Sequence, residues 1–140
     1  MLEAMGSQIA FQGENGMGSS MKLVINLMLA QTMAVFSEAI ALGEAMGLDQ
    51  EKVVNTLLNG ATTAPFLKGK KDKILNREFS AEFPLEHMQK DLHLVSQAAY
   101  ENGVAMPIAN LTKEIYAQAK QNGLADADFS AISQFISART

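Results

Sequence analysis

Residues 19–46, SSMKLVINLMLAQTMAVFSEAIALGEAM, decide the fold. The run has no proline and a single glycine, Gly43. Ala, Leu, Met and Ile dominate it, a composition that favours helix over strand. Apolar residues occupy nearly every face, and Lys22, Glu38 and Glu44 are its only charges. A helix apolar all round is one enclosed by other helices or by a second subunit. It is also more than twice the ~11–12 residues of an ordinary globular helix.

The chain reads as helical on both sides of this run. Upstream, Gln8-Ile9-Ala10-Phe11-Gln12 is a short β-like stretch, followed by Gly13, Gly16 and Gly18. Downstream, Gly47 ends the long helix in a left-handed conformation, and Asp49 caps the next one, about Gln50 to Leu58, through the amide of Glu51 or Lys52. Pro65 begins a segment to about Leu75 whose Lys68, Lys70, Lys71 and Lys73 read as a solvated face. Arg77 to Phe83 is a loop, and Pro84 opens a helix with the stripe Leu85, Met88, Leu92, Val95 and Ala99. Pro107 starts another, with Ile108, Leu111, Ile115 and Ala119 inward and Gly123 past its end. Asp126 or Asp128 caps a last helix from Phe129 to about Ser137. Six helices with short connections predict an all-α bundle around one long central helix.

Composition narrows the functional classes. The 140 residues suit one domain with a real core, and the formal net charge of −4 offers no basic field to nucleic acid or an anionic membrane. The absence of cysteine excludes disulfides and thiolate metal sites, in keeping with a cytoplasmic setting. His87 and His93 stand six apart, a poor spacing for two metal ligands on one helical face. Met1-Leu2-Glu3-Ala4-Met5-Gly6 lacks the basic region and apolar core of a secretory signal. The most apolar stretch, Leu23 to Phe36, is 14 residues long. A membrane span needs about 20, so a buried helix is expected instead.

Two constellations carry candidate chemistry. Lys22 and Asn26 are four residues apart and share one helix face. A lysine in a first turn can simply reach solvent. A carboxamide beside it, however, can hold a substrate carboxylate without cancelling the ammonium. A partly desolvated lysine loses some proton affinity and can exchange a proton with a hydroxyl or carbonyl oxygen. Phe83-Pro84-Leu85-Glu86-His87-Met88-Gln89-Lys90-Asp91-Leu92 is the second. Glu86 and Lys90 are spaced for a surface ion pair, and Asp91 beside Met88 and Leu92 wants a cation. The glycines at 13, 16 and 18 do not complete a dinucleotide or Walker loop and read as backbone freedom before the helix.

These segments together resemble the C-terminal helical domain of the β-hydroxyacid dehydrogenases, the family of 3-hydroxyisobutyrate dehydrogenase and the glyoxylate/succinic semialdehyde reductases. The likeness rests on Gly13-Glu14-Asn15-Gly16, on Gly18, Lys22 and Asn26 as G-x-x-x-K-x-x-x-N, on Phe83 with Lys90-Asp91-Leu92, and on Asp126-Ala127-Asp128-Phe129-Ser130-Ala131. It implies a bundle like the C-terminal domain of 6-phosphogluconate dehydrogenases. Residues 1–17 would be an interdomain lead-in, residues 18–140 the substrate, catalytic-lysine and dimerisation domain, and the N-terminal Rossmann domain would be absent. Lys22 would then be the catalytic lysine of an NAD(P)-dependent oxidoreductase. Asn26, Gly18, Phe83 and Asp91 would bind a small hydroxy acid or aldehyde acid, and Lys90 would touch the cofactor. NADP or NAD would be bound mainly by the missing domain, so the isolated chain would not turn over. The resemblance also implies a homodimer or higher assembly, while charge, length and histidine spacing leave no nucleic-acid, membrane or metal partner expected. The alternative is a non-catalytic helical dimerisation module derived from the same family.

Overall fold

The computed structural model describes residues 16–137; the β-like stretch and Gly13 to Asn15 lie outside them. Among the described residues the elements are α1 (Met17–Ala45), α2 (Gln50–Asn59), a 3-10 turn (Pro65–Lys70) running into α3 (Lys71–Asn76), α4 (Leu85–Glu101) and α5 (Pro107–Ala119). A π turn (Lys120–Leu124) and a 3-10 turn (Phe129–Ala131) then lead to α6 (Ile132–Ile136). The all-α expectation holds: no strand occurs among the described residues, only one isolated bridge between Pro84 and Asp128.

The central helix is α1, with α2, α4, α5 and α6 packed on it. Its buried side chains are Asn26, Ala30, Met33, Ala34, Phe36, Ser37 and Ile40. Gly43 lets α2 approach closely, because a Cβ there would meet Val53 Cγ2 at 2.9 Å. At 29 residues α1 is long and apolar enough to cross a membrane, so the length argument made on Leu23 to Phe36 does not survive. Packing replaces it. One side of α1 is sealed under neighbouring helices and includes the buried polar groups of Asn26 and Ser37, the pattern of a core helix.

Several turn expectations hold. Lys52 N donates to Asp49 Oδ2, and Gly47 and Gly123 adopt positive φ. The stripe on α5 is rotated from the expected one. Ala109, Thr112, Tyr116 and Ala119 are buried, whereas Ile108 and Leu111 are each 65% exposed. Small residues let α5 lie close to α1, and the buried Tyr116 hydroxyl donates to Ala30 O at 3.1 Å. Burial, and secondarily the Asp128 charge, push the Tyr116 phenol well above its ordinary pKa, so it remains a donor.

The start of α4 has no side-chain cap of its own. Its orphan amides are taken up from forty residues downstream: Leu85 N donates to Ala127 O at 2.8 Å and Glu86 N to Ala125 O at 3.0 Å. Between these strands of backbone lies the fully buried Asp128. Its carboxylate accepts from Glu82 N (3.0 Å), Phe83 N (3.1 Å), Ser130 N (3.1 Å) and Ser130 Oγ, and pairs with Lys70 Nζ at 3.0 Å. Lys70 also stands 4.8 Å from the Phe129 ring centroid. The lysine run is therefore not one solvated face: Lys68 is exposed, but Lys70 is buried because an interior carboxylate needs a cation.

Burial alone would raise the Asp128 carboxyl. The Ser130 and Lys70 hydrogen bonds, the Phe83 amide and the Lys70 charge outweigh it, and the group sits below its ordinary value. A depressed carboxyl stabilises the fold fully above its unfolded pKa of about 4 and loses that contribution as pH falls through its folded value. Asp128→Asn leaves the buried Lys70 only the exposed Glu82 carboxylate, at 3.5 Å, as counter-charge and should cost about 3 kcal/mol at pH 7. In urea unfolding measured from pH 7 to pH 3, the gap between the native chain and the variant should narrow below about pH 4; a gap constant across that range would show that Asp128 is not the linked group.

Candidate active site

The first turns of α1 carry Gly18, Lys22 and Asn26 at intervals of four, hence on one side of the helix. Gly16 opens the helix in the left-handed region at φ +90°. Gly18 is half-buried and Lys22 is exposed, while Asn26 is buried at 1% exposure. The lysine thus stands where the sheltered side of α1 emerges from the packed bundle. The described residues do not desolvate it, contrary to the burial its apolar surroundings suggested.

Asn26 meets the second constellation directly. Its Nδ2 donates to Asp91 Oδ2 at 2.7 Å, joining α1 to α4 across 65 residues of sequence. The position of Asp91 beside buried Met88 and Leu92 called for a cation; a neutral carboxamide takes that place, and Asp91 makes no ion pair among the described residues. A carboxylate receiving a charge-assisted bond locks the carboxamide's orientation. One amide hydrogen is used in that bond.

Lys90, next in chain to Asp91, is exposed and makes no ion pair among the described residues. The surface pair expected with Glu86 does not form; Glu86 Oε1 lies 4.0 Å from His87 Nε2 instead. Phe83 precedes α4, about 12 Å along the helix axis from Asp91. Its ring meets Phe129 edge-on at 6.1 Å and His87 at 6.2 Å, and its amide is held by Asp128. The structure thus brings Lys22, Asn26 and Asp91 to one junction of α1 and α4, with Lys90 beside it. Phe83 sits two turns back, toward the Asp128 hub.

The hub was the part that sequence reasoning missed. Asp128 followed by Ser130 signals a local cap, and that cap forms. Nothing in the local sequence reveals that the same carboxylate also reaches Glu82, Phe83 and Lys70.

Asn26→Asp tests the α1–α4 junction. Two carboxylates at hydrogen-bonding distance repel, so one takes a raised pKa and the fold loses stability at neutral pH, by about 1–3 kcal/mol. A raised carboxyl binds its proton more tightly in the folded state, so the loss should shrink as pH falls from 7 toward 4.5. Denaturation midpoints across that range check the sign, and a loss that grows on acidification contradicts the contact.

The chain resembles known proteins along almost its whole length. Residues 16–136 match the family described as NAD-binding of NADP-dependent 3-hydroxyisobutyrate dehydrogenase. Glyoxylate/succinic semialdehyde reductase 1 of Arabidopsis thaliana is 34% identical over 134 residues, covering 96% of this chain and 46% of that protein. The chloroplastic reductase 2 of the same plant is 37% identical over 137 residues, 98% of this chain and 38% of the relative. The human cytokine-like nuclear factor N-PAC is 32% identical over 130 residues, 93% of this chain and 24% of its own length. The chain therefore spans less than half the length of these relatives. Among solved structures, 3-hydroxyisobutyrate dehydrogenase from Salmonella typhimurium superposes with TM-score 0.81 at 21% identity, over 86% of this chain and 42% of that one, a likeness of fold. The Mycobacterium tuberculosis 3-hydroxyisobutyrate dehydrogenase, solved with L-serine, gives TM-score 0.78 at 25% identity over 88% of this chain and 44% of its own.

Proposed function

The chain belongs to the NADP-dependent 3-hydroxyisobutyrate dehydrogenase family, and from that premise we propose that it is the helical domain that supplies the proton-transferring lysine to an NAD(P)-dependent hydroxyacid dehydrogenase or semialdehyde reductase. The observation that carries the reading is the Asn26–Asp91 bond, which sets the Lys90-Asp91-Leu92 element of α4 against the lysine-bearing turns of α1.

In this reading Lys22 Nζ gives its proton to the carbonyl oxygen of a small aldehyde acid during reduction, and takes it back from the hydroxyl during oxidation. The ammonium also stabilises the charge growing on that oxygen. When bound, a nicotinamide supplies or accepts the hydride. Asn26, its amide fixed by Asp91, turns its second N–H toward the substrate carboxylate. Asp91 repels that carboxylate and so favours one orientation. Gly18 allows close approach to backbone, whereas Phe83, two turns of α4 away, belongs with the Asp128 hub rather than with this set.

Lys90 is the exposed cation that fits a nucleotide's phosphate. The described residues offer no strand–loop–helix cradle for a whole dinucleotide, so the proposal assigns most cofactor contacts to a separate Rossmann domain. Closure of that domain would also supply the desolvation Lys22 lacks here. The reading carries a cytoplasmic setting and self-association into at least a dimer. A second reading, a non-catalytic helical module, is favoured by one observation: this helical unit recurs in a protein named as a nuclear factor.

Turnover separates the two. The pure 140-residue chain should show no NADPH oxidation with glyoxylate or succinic semialdehyde. Joined to the N-terminal part of an Arabidopsis relative it should turn over, and Lys22→Ala should lower kcat by on the order of a hundred- to ten-thousand-fold with nucleotide binding kept. Steady turnover by the chain alone, or full activity in Lys22→Ala, contradicts the assignment.

A further inference from the structure

Asparagine followed by glycine occurs four times in the chain. Three of these pairs, Asn59-Gly60, Asn102-Gly103 and Asn122-Gly123, lie among the described residues. In such a pair the glycine amide nitrogen is able to attack the asparagine side-chain carbonyl carbon, because no Cβ on the second residue obstructs it. The N–Cγ bond forms, the Cγ–Nδ2 bond breaks, and ammonia leaves carrying the glycine amide proton. Water then opens the resulting succinimide to aspartate or isoaspartate. All three asparagines are exposed, so access of water does not distinguish them. Hydrogen bonding does.

Asn102 and Asn122 are clamped. Asn102 Nδ2 donates to Ala98 O at 2.7 Å and Asn122 Nδ2 to Gln118 O at 2.7 Å, each side chain folded back over the turn before it. Around Gly103 the backbone is tied on both sides, by Gly103 N to Tyr100 O at 3.3 Å and Val104 N to Ala99 O at 2.9 Å. This is the double closure of a left-handed helix end. Asn59 lacks these restraints. It ends α2, its side chain makes no hydrogen bond among the described residues, and Gly60 leaves the helix extended at φ −94° and ψ 178°. Gly60 N reaches Leu57 O at 3.3 Å, but no amide of Ala61 or Thr62 returns to an α2 carbonyl.

We propose that Asn59-Gly60 is a site of spontaneous deamidation, and that the fold protects Asn102 and Asn122 from the same reaction. Ring closure requires the asparagine side chain to swing onto the next nitrogen while the bond between its Cα and carbonyl carbon rotates. At Asn102 and Asn122 that movement first breaks a short side-chain hydrogen bond. At Asn59 the side chain is already free to move. The product sets a carboxylate at the C-terminal end of α2, where unpaired carbonyls already carry negative partial charge. Isoaspartate also inserts a methylene into the backbone, loosening the turn that seats the buried Leu58. The proposal is independent of the catalytic reading of Lys22.

Incubating the full 140-residue chain at pH 8 and 37 °C, with peptide mass mapping over time, follows each pair separately. In the folded chain the Asn59 peptide should convert faster than those of Asn102 and Asn122 by on the order of tenfold, the effect of one retained hydrogen bond. In concentrated urea the clamps are gone, and the three rates should agree within about threefold. Isoaspartate in the folded sample should map to residue 59, read by enzymatic methylation of its free α-carboxylate. Equal rates in the folded chain, or faster conversion at Asn102 or Asn122, would overturn the proposal. So would an Asn59 peptide that stays intact while the unfolded chain converts, or a preference for Asn59 that persists unchanged in urea.

Discussion

A single buried carboxylate organises this fold. Asp128 gathers amides from Glu82, Phe83 and Ser130, a hydroxyl from Ser130 and the ammonium of Lys70. Taking such charges out of water is costly, and the cost is offset only when every partner is in place. The network therefore accepts one arrangement of the chain rather than several. It fixes the approach to α4 at the same point where Ala125 and Ala127 carbonyls take up the helix's first amides. The beginning of α4 is thus completed by a segment near the other end of the described chain.

From that anchor the geometry propagates along α4. The buried stripe of Leu85, Met88, Leu92 and Val95 seats the helix on the core, and Asp91 emerges at the edge of this stripe to hold Asn26 on α1. The sides of α1 then divide the labour. One contributes to the core and, where it leaves the core, carries the carboxamide and the lysine proposed to do the chemistry. The opposite side leaves Val24, Met28, Val35 and Leu42 exposed.

Much of this was legible in the sequence, and the rest was hidden for definite reasons. The limits of α1, the Asp49 cap, the left-handed Gly47 and the stripe on α4 follow from local rules of propensity, capping and periodicity, and each is found in the structure. The rotation of α5 was not legible, because Ile108 and Leu111 are the bulkier apolar residues while close packing selected Ala109 and Thr112 instead. Lys70 was misread with its neighbours, since a run of lysines does not show which member has a buried carboxylate waiting. The pairing of Asn26 with Asp91 was not legible, because the carboxylate beside Met88 and Leu92 suggested a cation and the meeting of two helices 65 residues apart is tertiary. The motif at Asp126 to Ala131, noticed as a resemblance, proves to be the staple that seats α4.

The most direct measurement is the side-chain amide resonance of Asn26 in the 15N-labelled chain. A junction fixed by the tail through α4 predicts one slowly exchanging Nδ2 proton, with a nuclear Overhauser contact to α4 that disappears in Asp91→Ala and weakens in Asp128→Asn. A freely exchanging Asn26 amide, or one indifferent to both substitutions, would contradict the claim that Asp128 sets the geometry beside Lys22.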